Sequence, residues 1–153
     1  MALILNEEQQ LLKESVKEFL DTNAPVSALR KLRDENISDY NDTLWREMIE
    51  MGLTSLIINE EFGGLEFGYV ALGQVLEQSG RNLSVSPLIS TVLMSTTFIN
   101  VLGSEYQKNK YLPEIAKGGI KVCLAHQETP HFNLKNINTD LKRDGDNYLL
   151  NGH

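Results

Sequence analysis

A lone cysteine, Cys123, excludes an internal disulfide in this 153-residue chain and fits a reducing compartment. It reads as a small buried hydrophobe rather than a nucleophile. No apolar run approaches the roughly 18 residues that span a bilayer, and no basic segment followed by an apolar one opens the chain. The expectation is a soluble, unexported, cytoplasmic protein with no membrane partner. Basic stripes are missing too: Lys+Arg 14 stand against Asp+Glu 21, a formal net charge of -7, so no nucleic-acid partner is expected. Residues 1–120 hold 17 acids and 10 bases while residues 121–153 hold four of each, which confines the acidity to the first part. No metal-ligand spacing, phosphate-binding glycine loop or nucleophile elbow occurs. His126 and His131 lack a Cys or further His to complete a zinc set, and Glu7-Glu8 and Glu60-Glu61 read as solvated charges. What remains is average: 41% hydrophobic and 23% charged, a globular composition that excludes disorder, collagen and a disulfide scaffold.

From Asn6 to Gly118 the apolar period is helical. Asn6 with Gln9 approximates a capping box for a helix whose Leu12, Val16, Phe19 and Leu20 share a face. Pro25 opens a second helix carrying Val26, Leu29 and Leu32. Asn41 or Asp42 starts a third, with Leu44, Trp45, Met48 and Met51 apolar and Gly52 just past its end. A fourth runs from about Gly68 to Ser79 and stops at Gly80. A fifth, Pro87 to Leu102, is apolar nearly all round and so is expected at the centre of a bundle. Ser104 with Gln107 is a full capping box for a sixth, which Pro113 should break or restart. The apolar run Leu53–Ile58 is too short to assign.

After Gly119 the period becomes two. Ile120, Val122, Leu124 and His126 alternate as in a half-buried strand, and Ile137, Thr139 and Leu141 do so again. Asp144-Gly145 marks a hairpin before Tyr148 and Leu150. The fold expected is mainly α: an up-and-down bundle of about six helices over residues 1–119. The first strands of an incomplete antiparallel β domain follow over 120–153. The helical part should fold autonomously, and the strands should be poorly ordered or borrow pairing from another molecule, because their edge is open.

Three segments in this order resemble the acyl-CoA dehydrogenase family, over nearly the whole chain. Asn59-Glu60-Glu61-Phe62-Gly63-Gly64-Leu65 is similar to its proline-glutamate-x-x-glycine-glycine loop, with Asn59 where a proline is usual. Gly103 to Gly118 (GSEYQKNKYLPEIAKG) resembles its lysine-x-x-tyrosine-leucine-proline segment, and Gly145 to Gly152 (GDNYLLNG) its hairpin. The resemblance implies a flavin enzyme, with FAD as cofactor, that dehydrogenates an acyl-CoA thioester between its α and β carbons. Electron-transfer flavoprotein or another acceptor, and a homo- or hetero-oligomer, would be the further partners. In the family the catalytic base is a glutamate of the last domain, to which no position here corresponds. No catalytic residue or metal ligand is assigned, and the chain by itself should be inactive.

The family's flavin-lining segment maps onto Ala125, His126, Gln127, Glu128 and Thr129, where the usual threonine-glutamate-proline and its glycines are replaced. This divergence resembles the small subunits of heteromeric acyl-CoA dehydrogenases. Thr129 and backbone N–H groups would serve the flavin, and Glu128→Gln should matter little if that carboxylate is only a solvated loop charge. The alternative is a loop without flavin contact. Pro87, Ser90 and Met94 match positions lining the acyl chain, although Met94 serves equally as core filler. Two other functions stay open: a non-catalytic partner subunit, and a flavin oxidase or monooxygenase on the same fold.

Overall fold

The computed structural model describes residues 4–35, 40–125, 127–129 and 137–152. Its contacts group into two units, Met1–Cys123 and Leu124–His153. The first is helical. Helix α1 (Glu7–Asn23) starts on a complete capping box: the Asn6 side chain accepts from the Gln9 amide while Gln9 accepts from the Asn6 amide. Helix α2 (Val26–Asp34) follows Pro25. Helix α3 (Asp42–Glu50) is capped by Asn41, whose carbonyl oxygen accepts from the Thr43 and Leu44 amides. Gly52, in the left-handed region at φ 76°, then turns the chain inward.

Leu53–Ile58, unassignable from its length, is an irregular segment with every residue buried. Leu53, Leu56 and Ile57 join the main core with Val16 and Leu20 of α1 and Met48 of α3. Ile58 joins a second core with Phe62, Leu112 and Ile115. A buried loop must satisfy its own polar backbone. Here Leu65 donates to the Ser55 carbonyl, Glu66 to that of Ile58, and Gly68 to that of Leu56. The Asn100 amide caps the Ile57 carbonyl at 3.1 Å, and the Thr54 hydroxyl reaches the Ala116 carbonyl at 2.7 Å. A short 3₁₀ turn, Glu60–Phe62, leads back through Gly63 and Gly64.

Helix α4 (Gly68–Arg81) packs on α1 through Ala71, Leu72 and Val75. It runs through Gly80 instead of stopping there, because its buried face continues over Gln78, Ser79 and Asn82. Residues Leu88–Ser95 form a π-helix that passes into helix α5 (Thr96–Leu102). This stretch is not buried all round as its composition suggests: Val101 is 70% exposed and Leu102 67%. Its inner face carries Leu88 and Val92 together with the hydroxyls of Thr91, Ser95 and Thr96. Helix α6 (Glu105–Ala116) opens on the expected Ser104–Gln107 box and is not broken by Pro113. Continuing the helix places Leu112 and Ile115 together in the second core. Burying two such side chains is worth about 3–6 kcal/mol, which offsets the roughly 3 kcal/mol of an interior proline.

No strand forms over residues 120–125. Ile120 and Val122 instead lie against the second core. Cys123 is exposed, not buried. In the second unit β1 (Asp140–Asp144) pairs antiparallel with β2 (Asn147–Asn151), Leu141 opposite Leu150. Gly145, at φ 62°, is the first residue of the two-residue loop joining them. Both strands are exposed along their whole length.

Gly64 and Gly73 give opposite expectations. A Cβ on Gly64 would lie 1.8 Å from the Ile58 carbonyl oxygen, whereas one on Gly73, inside α4, meets nothing within 4 Å. Gly64→Ala should therefore destabilise by about 1–3 kcal/mol or more. Gly73→Ala should stabilise by roughly 0.5–1 kcal/mol through helix propensity. Urea midpoints of the two variants check both signs.

Candidate functional site

The approach to the expected flavin segment is built from the helical unit. The Thr91 hydroxyl donates to the Val122 carbonyl at 2.9 Å and accepts from the Val122 amide at 3.1 Å. These bonds replace the ladder that a strand would have made. On the same π-helix, the Ser95 hydroxyl donates to the Ser90 carbonyl and the Thr96 hydroxyl to that of Thr91, each five residues back. Wide turns of this kind recur at functional sites.

Of the acyl-lining candidates, Pro87 is buried and precedes the π-helix; its carbonyl accepts the Ser90 hydroxyl at 3.2 Å. Ser90 and Met94 are half-buried. All three lie on one short stretch, Pro87 to Met94.

In the second unit, Ala125, Gln127 and Glu128 come together with Ile137, Thr139, Leu150 and Gly152 around a cleft of about 440 Å³. The cleft is within the usual size of small-molecule sites. Its walls mix apolar Ala125, Ile137 and Leu150 with polar Gln127, Glu128 and Thr139. His126 and residues 130–136 lie outside the described residues, so their expected roles do too. Sequence reasoning did not place Ile137, Thr139, Leu150 and Gly152 at this cleft. The period-two alternation that puts Ile137 and Thr139 on one face was the available signal.

The Glu128 carboxylate makes hydrogen bonds within its own unit. It accepts from the Asn138 amide at 2.6 Å, the Thr139 amide at 2.7 Å and the Thr139 hydroxyl. It thereby ties residues 127–129 to the approach of β1. The Gln127 side-chain amide donates to the Thr129 carbonyl at 2.7 Å, stiffening the same turn. The Thr139 hydroxyl first, then the Asn138 amide, hold the Glu128 carboxyl below its ordinary pKa. A lowered folded value means the clasp stabilises in full above the ordinary carboxylate pKa and is lost as pH falls through the lowered one. Protection of the Thr139 amide from hydrogen exchange, corrected for intrinsic rate, should fall across that acidic window. In Glu128→Gln that pH dependence should vanish.

A second cleft of about 340 Å³, lined by Leu29, Leu32, Leu44 and Val85 among others, lies at α2 and α3 and holds none of the expected site residues. Among the described residues, no helix is long and apolar enough to cross a membrane.

Known proteins agree with this architecture. The chain is 31% identical over 115 residues to the acyl-CoA dehydrogenase IpdE2 of Mycolicibacterium smegmatis, covering 74% of this chain and 35% of that protein. It is 31% identical over 157 residues to the mitochondrial 2-methylacyl-CoA dehydrogenase of Solanum tuberosum, covering 99% of this chain and 37% of that protein. The crystal structure of an acyl-CoA dehydrogenase from Geobacillus kaustophilus superposes with a TM-score of 0.80 at 27% identity, covering 99% of this chain and 40% of that one. The chain thus spans 35–40% of the length of these relatives. Residues 6–119 match the family model of the acyl-CoA dehydrogenase N-terminal domain. With about three-quarters of its residues matched to that model, the chain belongs to the acyl-CoA dehydrogenase family.

Proposed function

We propose that this chain is the N-terminal portion of an FAD-dependent acyl-CoA dehydrogenase: a helical domain over 1–119 and the opening of a β domain over 120–153. The complete protein would remove the α and β hydrogens of an acyl-CoA thioester. The observation that carries the reading is the cleft around Ala125, Gln127 and Glu128, the stretch that the family resemblance assigns to the flavin. Bound FAD would supply the hydride-accepting chemistry. Residues Ala125 to Thr129 would hold it, with His126 included by sequence. The Gln127 and Glu128 side chains are engaged in shaping the turn. Backbone N–H groups and the Thr129 hydroxyl would serve the cofactor's polar edge. Such donors favour negative charge developing at that edge, and backbone donors survive the replacement of the family's usual side chains.

Pro87, Ser90 and Met94 would line the acyl chain, a mainly apolar pocket with no carboxylate at these positions. The α proton would be taken by a base from outside these 153 residues, so the chain by itself is expected to be inactive. Electron-transfer flavoprotein or another acceptor, and a second subunit, identical or different, complete the proposed assembly.

Visible absorbance of the purified longer protein, with and without a partner subunit, should show flavin bands. Isothermal titration of the 153-residue chain should show FAD binding that is weak or absent; submicromolar affinity would contradict the proposed division of the site. Thr129→Val in the flavin-loaded protein should weaken FAD binding by about 0.5–1.5 kcal/mol, the net worth of one hydrogen bond. Unchanged flavin affinity and reduction potential after converting residues 126–129 to alanine and glycine would favour a non-catalytic subunit instead.

A further inference from the structure

We infer that Thr91 is a positioning residue: its hydroxyl sets the register of the extended stretch 120–123, which leads in the sequence to the proposed flavin-lining residues. The inference rests on the proposed function for its consequence, though not for its geometry. Thr91 is 1% exposed, and its one hydroxyl serves both backbone groups of Val122, donating to the carbonyl and accepting from the amide. With no strand over 120–125, these two bonds stand where sheet pairing would otherwise define where each residue sits.

The side chains of Ile120 and Val122 also hold this stretch, packed against Ile58, Leu112 and Ile115. Apolar burial is non-directional and does not by itself fix position along the chain. A matched donor and acceptor do. A slip of one residue would carry Ala125 about 3.3 Å along the chain and would turn the Val122 side chain to the opposite face. Thr91 is itself well held. Its χ1 is restricted by β-branching, and its carbonyl accepts the Thr96 hydroxyl at 3.0 Å across the wide turn. Ser90 precedes it and Met94 follows three residues later, so the same turn presents the acyl-lining candidates and grips Val122. Val122 lies three residues before Ala125.

The test compares Thr91→Val, which keeps the shape and removes the hydroxyl, with Thr91→Ser, which keeps the hydroxyl. In the protein without added flavin, Val122 amide exchange should quicken in Thr91→Val and return towards wild type in Thr91→Ser. In the flavin-loaded protein, Thr91→Val should bind FAD about three- to tenfold more weakly, with a shifted visible flavin spectrum. Its kcat should fall more than its KM rises, and Thr91→Ser should recover affinity and spectrum. Unaltered Val122 exchange in Thr91→Val would overturn the register argument. A lower melting temperature with unchanged FAD affinity and spectrum would overturn the positioning role, leaving Thr91 merely structural. Wild-type protein that takes up no FAD overturns the functional reading and this role with it. The Val122 exchange measurement separates that failure from a failure of the clamp.

Discussion

The burial of Leu53–Ile58 without helix or strand is the constraint on which the helical unit depends. A buried irregular backbone is stable only if its N–H and C=O groups find partners, and those partners come from across the unit. Leu65, Glu66 and Gly68 return to it from the glycine-containing loop, Asn100 reaches it from α5, and the Ala116 carbonyl at the end of α6 takes the Thr54 hydroxyl. Its side chains bridge the two cores: Leu53, Leu56 and Ile57 belong to one and Ile58 to the other. Gly64 is required here for close approach, since the Ile58 carbonyl occupies the space its Cβ would take.

The second core carries this order to residues 120–122. Ile58, Phe62, Leu112 and Ile115 make the floor on which Ile120 and Val122 lie, and Thr91 then holds Val122 by both backbone groups. In the other unit, Glu128 does comparable work with a carboxylate, clasping the Asn138 and Thr139 amides. In each case a side chain bonds to backbone, and that choice tolerates sequence change. A backbone partner is present whatever residue bears it, so a segment lacking the family's usual threonine-glutamate-proline keeps a defined path.

Signals carried within a few residues were legible in the sequence. The Asn6–Gln9 and Ser104–Gln107 boxes, Gly52 beyond α3 and the hairpin near Gly145 all appear, because capping and turn geometry need only neighbours. The misjudged features have distant causes. Gly80 ends a helix by propensity, but α4 continues to Arg81 over a buried polar face. Pro113 breaks one by propensity, but Leu112 and Ile115 have a core to fill. Period-two alternation over 120–126 suggested a strand, yet among the described residues the backbone of Val122 bonds to a threonine 31 residues earlier. The roles of Thr91 and Glu128 have no local signature, because each side chain is ordinary and its partner is a backbone group elsewhere.

The central claim is that residues 125–129 face the flavin while the helical unit holds their approach in place. Amide chemical shifts recorded while FAD is titrated into the isotopically labelled longer protein test it most directly. The account predicts that the perturbations concentrate at Ala125, Gln127 to Thr129 and the neighbouring Asn138 and Thr139. Perturbations centred instead on the cleft at Leu29, Leu32 and Leu44, with residues 125–129 unmoved at flavin saturation, would contradict it.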